Sequence, residues 1–261
     1  MFSTLWRYRR YIVRNTRRDL GQRFAGSGLG LFWYVIHPLF LVLLYVLVFS
    51  RIMPVKLPRL SQASGFAIYL CTGLLPWIGF SETIGRAASA LVDNANYLKK
   101  LAIPEEVFVN QVAFSGLVTL IINIVVLFLL TLVLGHTPRL CWLAVLPILV
   151  AMQGLAFSLG LIFAVGNVFF RDVGQLLVLL LQLWFWATPI VYTSNIIPEA
   201  MRSLLYMNPL YGYIEALHQI VVSRVWPGAG LWLAMLLPTV VFWLAARWLL
   251  YQRRGELRDA L

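Results

Sequence analysis

The residues of this sequence that could perform covalent or metal chemistry are few, and their spacing supports none. His37, His136 and His218 are scattered and no HExxH occurs, so no metal-ligand pattern forms. Cys71 and Cys141 are too few for a disulfide framework and form no CxxC. A nucleophilic serine needs a base in reach. Gly26-Ser27-Gly28 and Ser115-Gly116 have no histidine placed for that role, and the second lacks the preceding glycine of GxSG. A phosphate-binding loop needs GxxxxGK[ST], in which glycine amides cradle phosphates and lysine reaches the terminal ones. The only lysines are Lys56, Lys99 and Lys100, and none follows a glycine. No catalytic, metal or cofactor residue is expected here, and ATP hydrolysis, if any drives this protein, belongs to another chain.

What the sequence offers instead is neutral polar groups and aromatic rings. Gln175, Leu179, Gln182 and Trp186 recur at i, i+4, i+7 and i+11, one stripe of a helix. Asn123, Gln153 and Asn167 add amides elsewhere. Amides hydrogen-bond hydroxyls and aromatic faces stack on sugar C–H faces, so such a set suits neutral polyhydroxyl cargo. The alternative for each residue is helix–helix hydrogen bonding, with the aromatics in interfacial belts. His37 stands beside Pro38, where a carbonyl freed by the proline is a partner for its ring. Glu215 and His218 share a face at i, i+3, a spacing that favours interfacial pairing.

These residues need membrane elements to hold them. Of the 261 residues, 61% are hydrophobic and 12% charged, with a mean hydropathy of +0.82. An average soluble domain is roughly half apolar and about a quarter charged. A membrane helix needs about 20 apolar residues, and six windows of at least 22 residues carry no Asp, Glu, Lys or Arg. Six spans are predicted, at 28–50, 66–84, 107–134, 141–169, 173–193 and 229–250. A membrane barrel is disfavoured, since it shows alternating segments of about 10 residues rather than continuous apolar runs. Ala156, Gly160 and Ala164 form a small-xxx-small seam for close helix contact in the fourth span. With the N-terminus cytoplasmic, fifteen of the 21 Lys and Arg fall inside, which predicts an N-in, C-in topology. The net charge of +11 then lies mainly at a membrane surface, and nucleic acid is not needed to explain it.

Three segments outside the spans have distinct patterns. Residues 1–23 place Trp6, Ile12, Val13 and Thr16 near one helical face, with Arg10, Arg14 and other arginines largely opposite. This pattern predicts an amphipathic helix in the membrane interface; a plain topogenic basic stretch is the alternative. Residues 86–104 contain Asn94, Tyr97, Lys99, Lys100 and Pro104, a short helical stretch stopped by proline that could dock a cytoplasmic partner, or an ordinary loop. Residues 196–226 are apolar but broken by Asn208-Pro209 and Gly212, the pattern of a re-entrant outer hairpin. A pair of interfacial helices is the other reading. The tail after Tyr251 is short and basic with no evident chemistry.

Read in order, the chain resembles the membrane permease of type-2 ABC exporters for bacterial cell-surface polysaccharide, nearest the O-antigen branch. Five pieces carry the likeness: Arg17-Arg18-Asp19-Leu20 leading to Trp33, Pro38-Leu39 and Tyr45; Gly73-Leu74-Leu75-Pro76-Trp77; Asn94 to Pro104; Asn167-Val168-Phe169-Phe170-Arg171-Asp172-Val173; and Thr188-Pro189-Ile190-Val191-Tyr192 followed by Asn208-Pro209-Leu210. One departure is Ile103-Pro104-Glu105-Glu106, where the family commonly has Phe-Pro with an arginine soon after.

The resemblance implies an all-α integral membrane protein of the bacterial inner membrane, working as a homodimer with two separate ABC ATPase subunits that carry ATP and Mg. Coupling to the ATPase would fall to Arg10, Arg14, Asn94, Tyr97, Lys99 and Lys100. A channel for lipid-linked polysaccharide would be lined by Trp33, Tyr34, Trp77, Gln175, Gln182, Trp186 and Tyr192. Met201, Leu205, Asn208, Pro209, Tyr213 and Glu215 would form the periplasmic gate. The alternatives are a capsule, teichoic-acid, drug or lipid exporter permease and, in a different class, a membrane enzyme acting on lipid-linked glycans.

Overall fold

The computed structural model describes residues 6–22, 28–52, 62–101 and 103–260. Residues 1–5 and 23 of the expected amphipathic helix lie outside the described residues. Every regular element among the described residues is helical. In chain order these are α1 (Arg9–Gln22), α2 (Trp33–Ile52), α3 (Gln62–Asp93), α4 (Ala95–Lys100), α5 (Glu105–Val133), α6 (Val145–Phe169), α7 (Val173–Ala187), α8 (Glu199–Met207), α9 (Tyr211–His218) and α10 (Ala229–Ala260). A 3₁₀ turn at Leu140–Ala144 leads into α6, and a π-helical stretch at Gln219–Ser223 follows α9.

Four segments, Ser64–Asp93, Glu105–Val133, Leu140–Phe169 and Ala229–Ala260, are long and apolar enough to cross a membrane. α2 and α7 are apolar but shorter. α7 is cut at Ala187 because Thr188 precedes Pro189, and a residue before proline is pushed out of the helical region; Thr188 has φ −108 and ψ 132. The expected fifth span, 173–193, is therefore a 15-residue helix followed by an irregular buried stretch. Tyr69 of α3 ties that stretch down, its hydroxyl donating to the Tyr192 carbonyl at 2.9 Å.

The core is organised around α3 and α6, which are mostly buried, whereas α10 is mostly exposed. The seam on α6 makes this possible. A Cβ at Gly160 would stand 2.5 Å from the Ala87 Cβ, and Ala156 and Ala164 are fully buried. Gly116 of α5 is tighter still, with the Thr83 hydroxyl where a methyl would sit. The expected small-residue seam thus joins helices within one chain. Cross-helix hydrogen bonds add to it: Gln153 Nε2 donates to Ala113 O at 2.6 Å, Asn123 Nδ2 to Leu75 O at 3.0 Å and Asn167 Nδ2 to Ala88 O at 3.0 Å.

The outward faces are apolar. α2 exposes Phe40, Leu43 and Leu47, α7 exposes Leu176, Leu179 and Leu183, and α10 exposes Leu233, Leu237, Val240 and Leu244. Soluble proteins rarely expose contiguous apolar surface of this extent. Lipid is its natural solvent.

α1 lies against α5 through its apolar stripe. Ile12 and Thr16 are buried, Tyr11 meets Phe108 edge-on at 6.4 Å, and Trp6 and Val13 remain exposed. Beyond the expected sixth span, α10 continues unbroken to Ala260, so the basic tail is the end of a helix rather than a loose extension.

Candidate functional site: a cavity, a cap and an elbow

A cavity of about 980 Å³ opens between α2, α3, α5 and α7. α2 contributes Trp33, Tyr34, His37, Pro38 and Tyr45; α3 contributes Trp77, Ser81, Glu82 and Arg86; α5 contributes Thr119 and Asn123; α7 contributes Gln182, Phe185 and Trp186. Five of the seven residues expected to line a channel, Trp33, Tyr34, Trp77, Gln182 and Trp186, thus face one space. Gln175 and Tyr192 do not line it: Gln175 is exposed near the start of α7, and the Tyr192 hydroxyl donates to Trp186 O at 2.7 Å.

The wall is rigid where it is aromatic. Trp77 packs against Phe80, Trp184 and Phe185 with centroids 5.7 to 6.2 Å apart. Offset and edge contacts of this kind are favoured by the ring quadrupoles. His37 and Thr119 belong to the lining, two polar side chains that no stripe on a single helix groups with Gln182.

At one end of the cavity an ionic network replaces the aromatic wall. Arg86 Nη2 donates to the Asp19 carboxylate at 2.6 Å, Ser115 Oγ donates to its other oxygen at 2.5 Å, and Glu82 lies 3.9 Å from Arg86. Asp19 is on α1, so this network fastens α1 to α3 and α5 beside the cavity floor. The Tyr34 hydroxyl adds a contact to Leu20 O at 3.4 Å.

α8, α9 and the π-helical stretch pack as a cap against the end of α7, and none of their residues lines the cavity. Asn208 is the hub, placed by Pro209 at the corner between α8 and α9. Its Oδ1 accepts from Trp184 Nε1 at 2.7 Å and from the Leu210 amide at 3.0 Å, and its Nδ2 donates to Thr188 Oγ1 at 2.9 Å. Leu205 and Tyr213 are buried, and the Tyr213 hydroxyl meets Met235 O at 2.9 Å and the Thr239 hydroxyl. Met201 belongs to α8, but its side chain lies outside the described residues.

Glu215 and His218 do not pair. Glu215 accepts from Gln219 at 3.3 Å, while His218 stacks on Tyr69 at 3.9 Å and bonds Tyr69 O at 3.0 Å. Arg224, left-handed at φ 59, closes the cap by reaching His136. There the ring Nε2 lies 2.6 Å from Val221 O and Nδ1 faces Arg224 Nη2 at 3.1 Å. Donation to the carbonyl and acceptance from arginine require a neutral ring. Burial chiefly, aided by the Arg224 charge, holds the His136 pKa below its ordinary value against the Val221 bond.

An elbow is formed by α4 and the start of α5. Tyr97, Lys99 and Lys100 are exposed, Leu98 is buried, and Asn94 turns its amide onto Ala90 O at 2.8 Å. Arg10 and Arg14 of α1 are exposed as well. The acidic pair that departs from the family pattern is not presented to a partner. Glu105 and Glu106 are 1% and 4% exposed and are held by the end of α10. Arg254 donates to Glu105 at 2.9 Å and to Glu106 at 2.5 Å, and Arg258 donates to Glu105 at 3.0 Å. Burial works against the charge of Arg254, but the two carboxylates outweigh it and hold its pKa above the ordinary value.

The two cysteines are buried and free. No group of three or more His, Cys, Asp or Glu that could hold a metal occurs among the described residues.

Comparison with known proteins sets this architecture in context. Residues 10–222 match the model of the ABC-2 type transporter family. The chain is 34% identical over 262 residues to the O-antigen export system permease protein RfbA of Myxococcus xanthus, covering 98% of this chain and 97% of that one. It is 34% identical to an RfbA of Klebsiella pneumoniae, covering 78% and 76% of the two chains. The polysialic acid transport protein KpsM of Escherichia coli is 25% identical, with 78% of each chain covered.

Proposed function

The chain belongs to the ABC-2 type transporter family, and from that membership we propose that it is the permease of an exporter for lipid-linked O-antigen-type polysaccharide. The observation that carries this reading is the cavity, about 980 Å³ and walled by aromatic rings and neutral polar groups, with its one ionic network at an end. A carrier driven by protons or ions buries ionisable groups along its pathway. A sugar polymer needs stacking faces and amides instead, and Trp33, Trp77, Trp186 and Gln182 supply them.

In this reading six spans run N-in, C-in in the bacterial inner membrane. α1 and α4 lie at the cytoplasmic face, where Arg10, Arg14, Tyr97, Lys99 and Lys100 receive a separate ATPase subunit that holds ATP and Mg. α8 and α9 form the periplasmic gate as a re-entrant hairpin. Two copies of the permease close the pathway between them. The exposed apolar faces of α2 and α7, which flank the cavity opening, support that arrangement. Glycan would move outward as α1 and α4 transmit ATPase motion to the cavity floor at Asp19, Arg86 and Ser115.

A deletion strain tests the reading. Loss of the chain should leave lipid-linked glycan on the cytoplasmic face, and supplying the chain with its ATPase should restore surface glycan. Gln182→Ala and Trp186→Ala should impair export while the complex still assembles. If those variants lower only expression, the stripe is packing and not pathway.

A further inference from the structure

The end of α10 and the elbow at α4 are far apart in sequence yet form one unit. Glu105 and Glu106 open α5, where the helix N-terminus favours negative charge. Both are almost completely buried, and a buried carboxylate is tolerated only when paired and hydrogen-bonded. Arg254 spans the two acids and Arg258 adds a bond to Glu105. Arg258 Nη2 also reaches Ile103 O at 3.2 Å, in the connection between α4 and α5. Apolar packing follows the same line: Leu257 of α10, Leu98 of α4 and Phe108 of α5 share one buried cluster. α10 is itself 32 residues long with Pro238 inside it, and its last turns carry the apolar helix on to this clamp.

We propose that Arg254 and Arg258 are positioning residues for energy coupling, fixing the elbow so that motion delivered to α4 moves α5 and α10 together. Without the clamp α4 is joined to α5 only by the connection that includes Ile103 and Pro104 and by the apolar packing around Leu98, and a push on α4 is absorbed there. The Glu105-Glu106 departure from the family pattern is then compensated within the chain, by arginines that α10 brings from its far end. This inference rests on the reading that α4 meets the ATPase.

The test uses the assembled permease–ATPase complex in proteoliposomes and reads glycan exported per ATP hydrolysed, with assembly checked by co-purification. Arg254→Ala/Arg258→Ala should keep ATP hydrolysis near the unaltered level and lower export per ATP on the order of tenfold, the scale at which coupling networks respond to loss of a link. Arg253→Ala, whose partner is Glu256 outside the clamp, should change nothing. If the double variant fails to assemble, Arg254→Lys serves: it keeps the charge but loses the fork across two carboxylates, and export per ATP should still fall. Lys99→Glu/Lys100→Glu is measured beside these. If the lysine variant uncouples and the arginine variants export per ATP as the unaltered complex does, the clamp is only structural and the inference is overturned. If the lysine variant also has no effect, the placing of α4 at the ATPase is what fails.

Discussion

Asn208 shows how much one side chain can organise. Its amide joins the end of α7, the corner before α9 and the ring of Trp184, which itself meets Trp77 of the cavity wall edge-on. Asn208→Ala leaves the indole N–H without its acceptor, while the Thr188 hydroxyl keeps its bond to Trp184 O, at a cost of about 1–3 kcal/mol. The melting temperature in detergent should fall by several degrees, and Asn208→Asp, which keeps the acceptor, should fall less. A drop of equal size for both would assign the effect to packing. His136 gives a pH signature. Its pKa is lowered in the fold, so the contribution of the neutral ring is complete above the ordinary histidine value of about 6.5 and is lost as pH falls through the lowered one. Thermal stability should decline on acidification through that window, and His136→Gln should flatten the decline. Sequence indicated that Asn208-Pro209 breaks a helix, but not that Asn208 bonds Trp184 and Thr188, because those partners lie 20 to 24 residues away. For Arg224 the sequence carried no signal at all.

At the scale of elements, close approach to α3 decides the packing. Gly116→Ala would drive a methyl into the Thr83 hydroxyl and Gly160→Leu would displace Ala87, overpacking that costs about 1–3 kcal/mol or more. Gly85→Ala, on the same α3 helix with nothing near its absent Cβ, should be neutral or slightly stabilising. Melting of the purified variants measures this, and equal loss at all three positions would contradict the seam. The small-residue spacing on α6 was legible because it needs only one helix. Its partner was not, since choosing α3 over a second subunit depends on tertiary packing. Similarly, the stripe Gln175, Gln182 and Trp186 fixed an azimuth on α7 but not a depth, and the cavity meets α7 only at Val178, Leu181, Gln182, Phe185 and Trp186. The ends of elements were least legible. α7 stops at Thr188-Pro189, a local signal overshadowed by the apolar run, while α10 runs on to Ala260 because arginines there find buried acids at the start of α5.

For the whole molecule, composition and the positions of charge already pointed to an all-helical membrane protein. The structure adds that the neutral polar residues divide into two populations. Asn123, Gln153 and Asn167 donate to backbone carbonyls across helices and hold the bundle together, although Asn123 also borders the cavity. Gln182, His37 and Thr119 face the cavity. A topology with both ends cytoplasmic predicts that a cysteine placed at Ser194 reacts with a membrane-impermeant reagent from outside; labelling only from the cytoplasmic side would reverse it. The central claim is that this chain is a conduit worked by a separate motor. Its most direct test is transport of a lipid-linked polysaccharide in vesicles containing the permease, with and without its ATPase. The account predicts glycan delivered across the bilayer only when both chains and ATP are present. Chemical conversion of the glycan by this chain alone, without ATP, would contradict it.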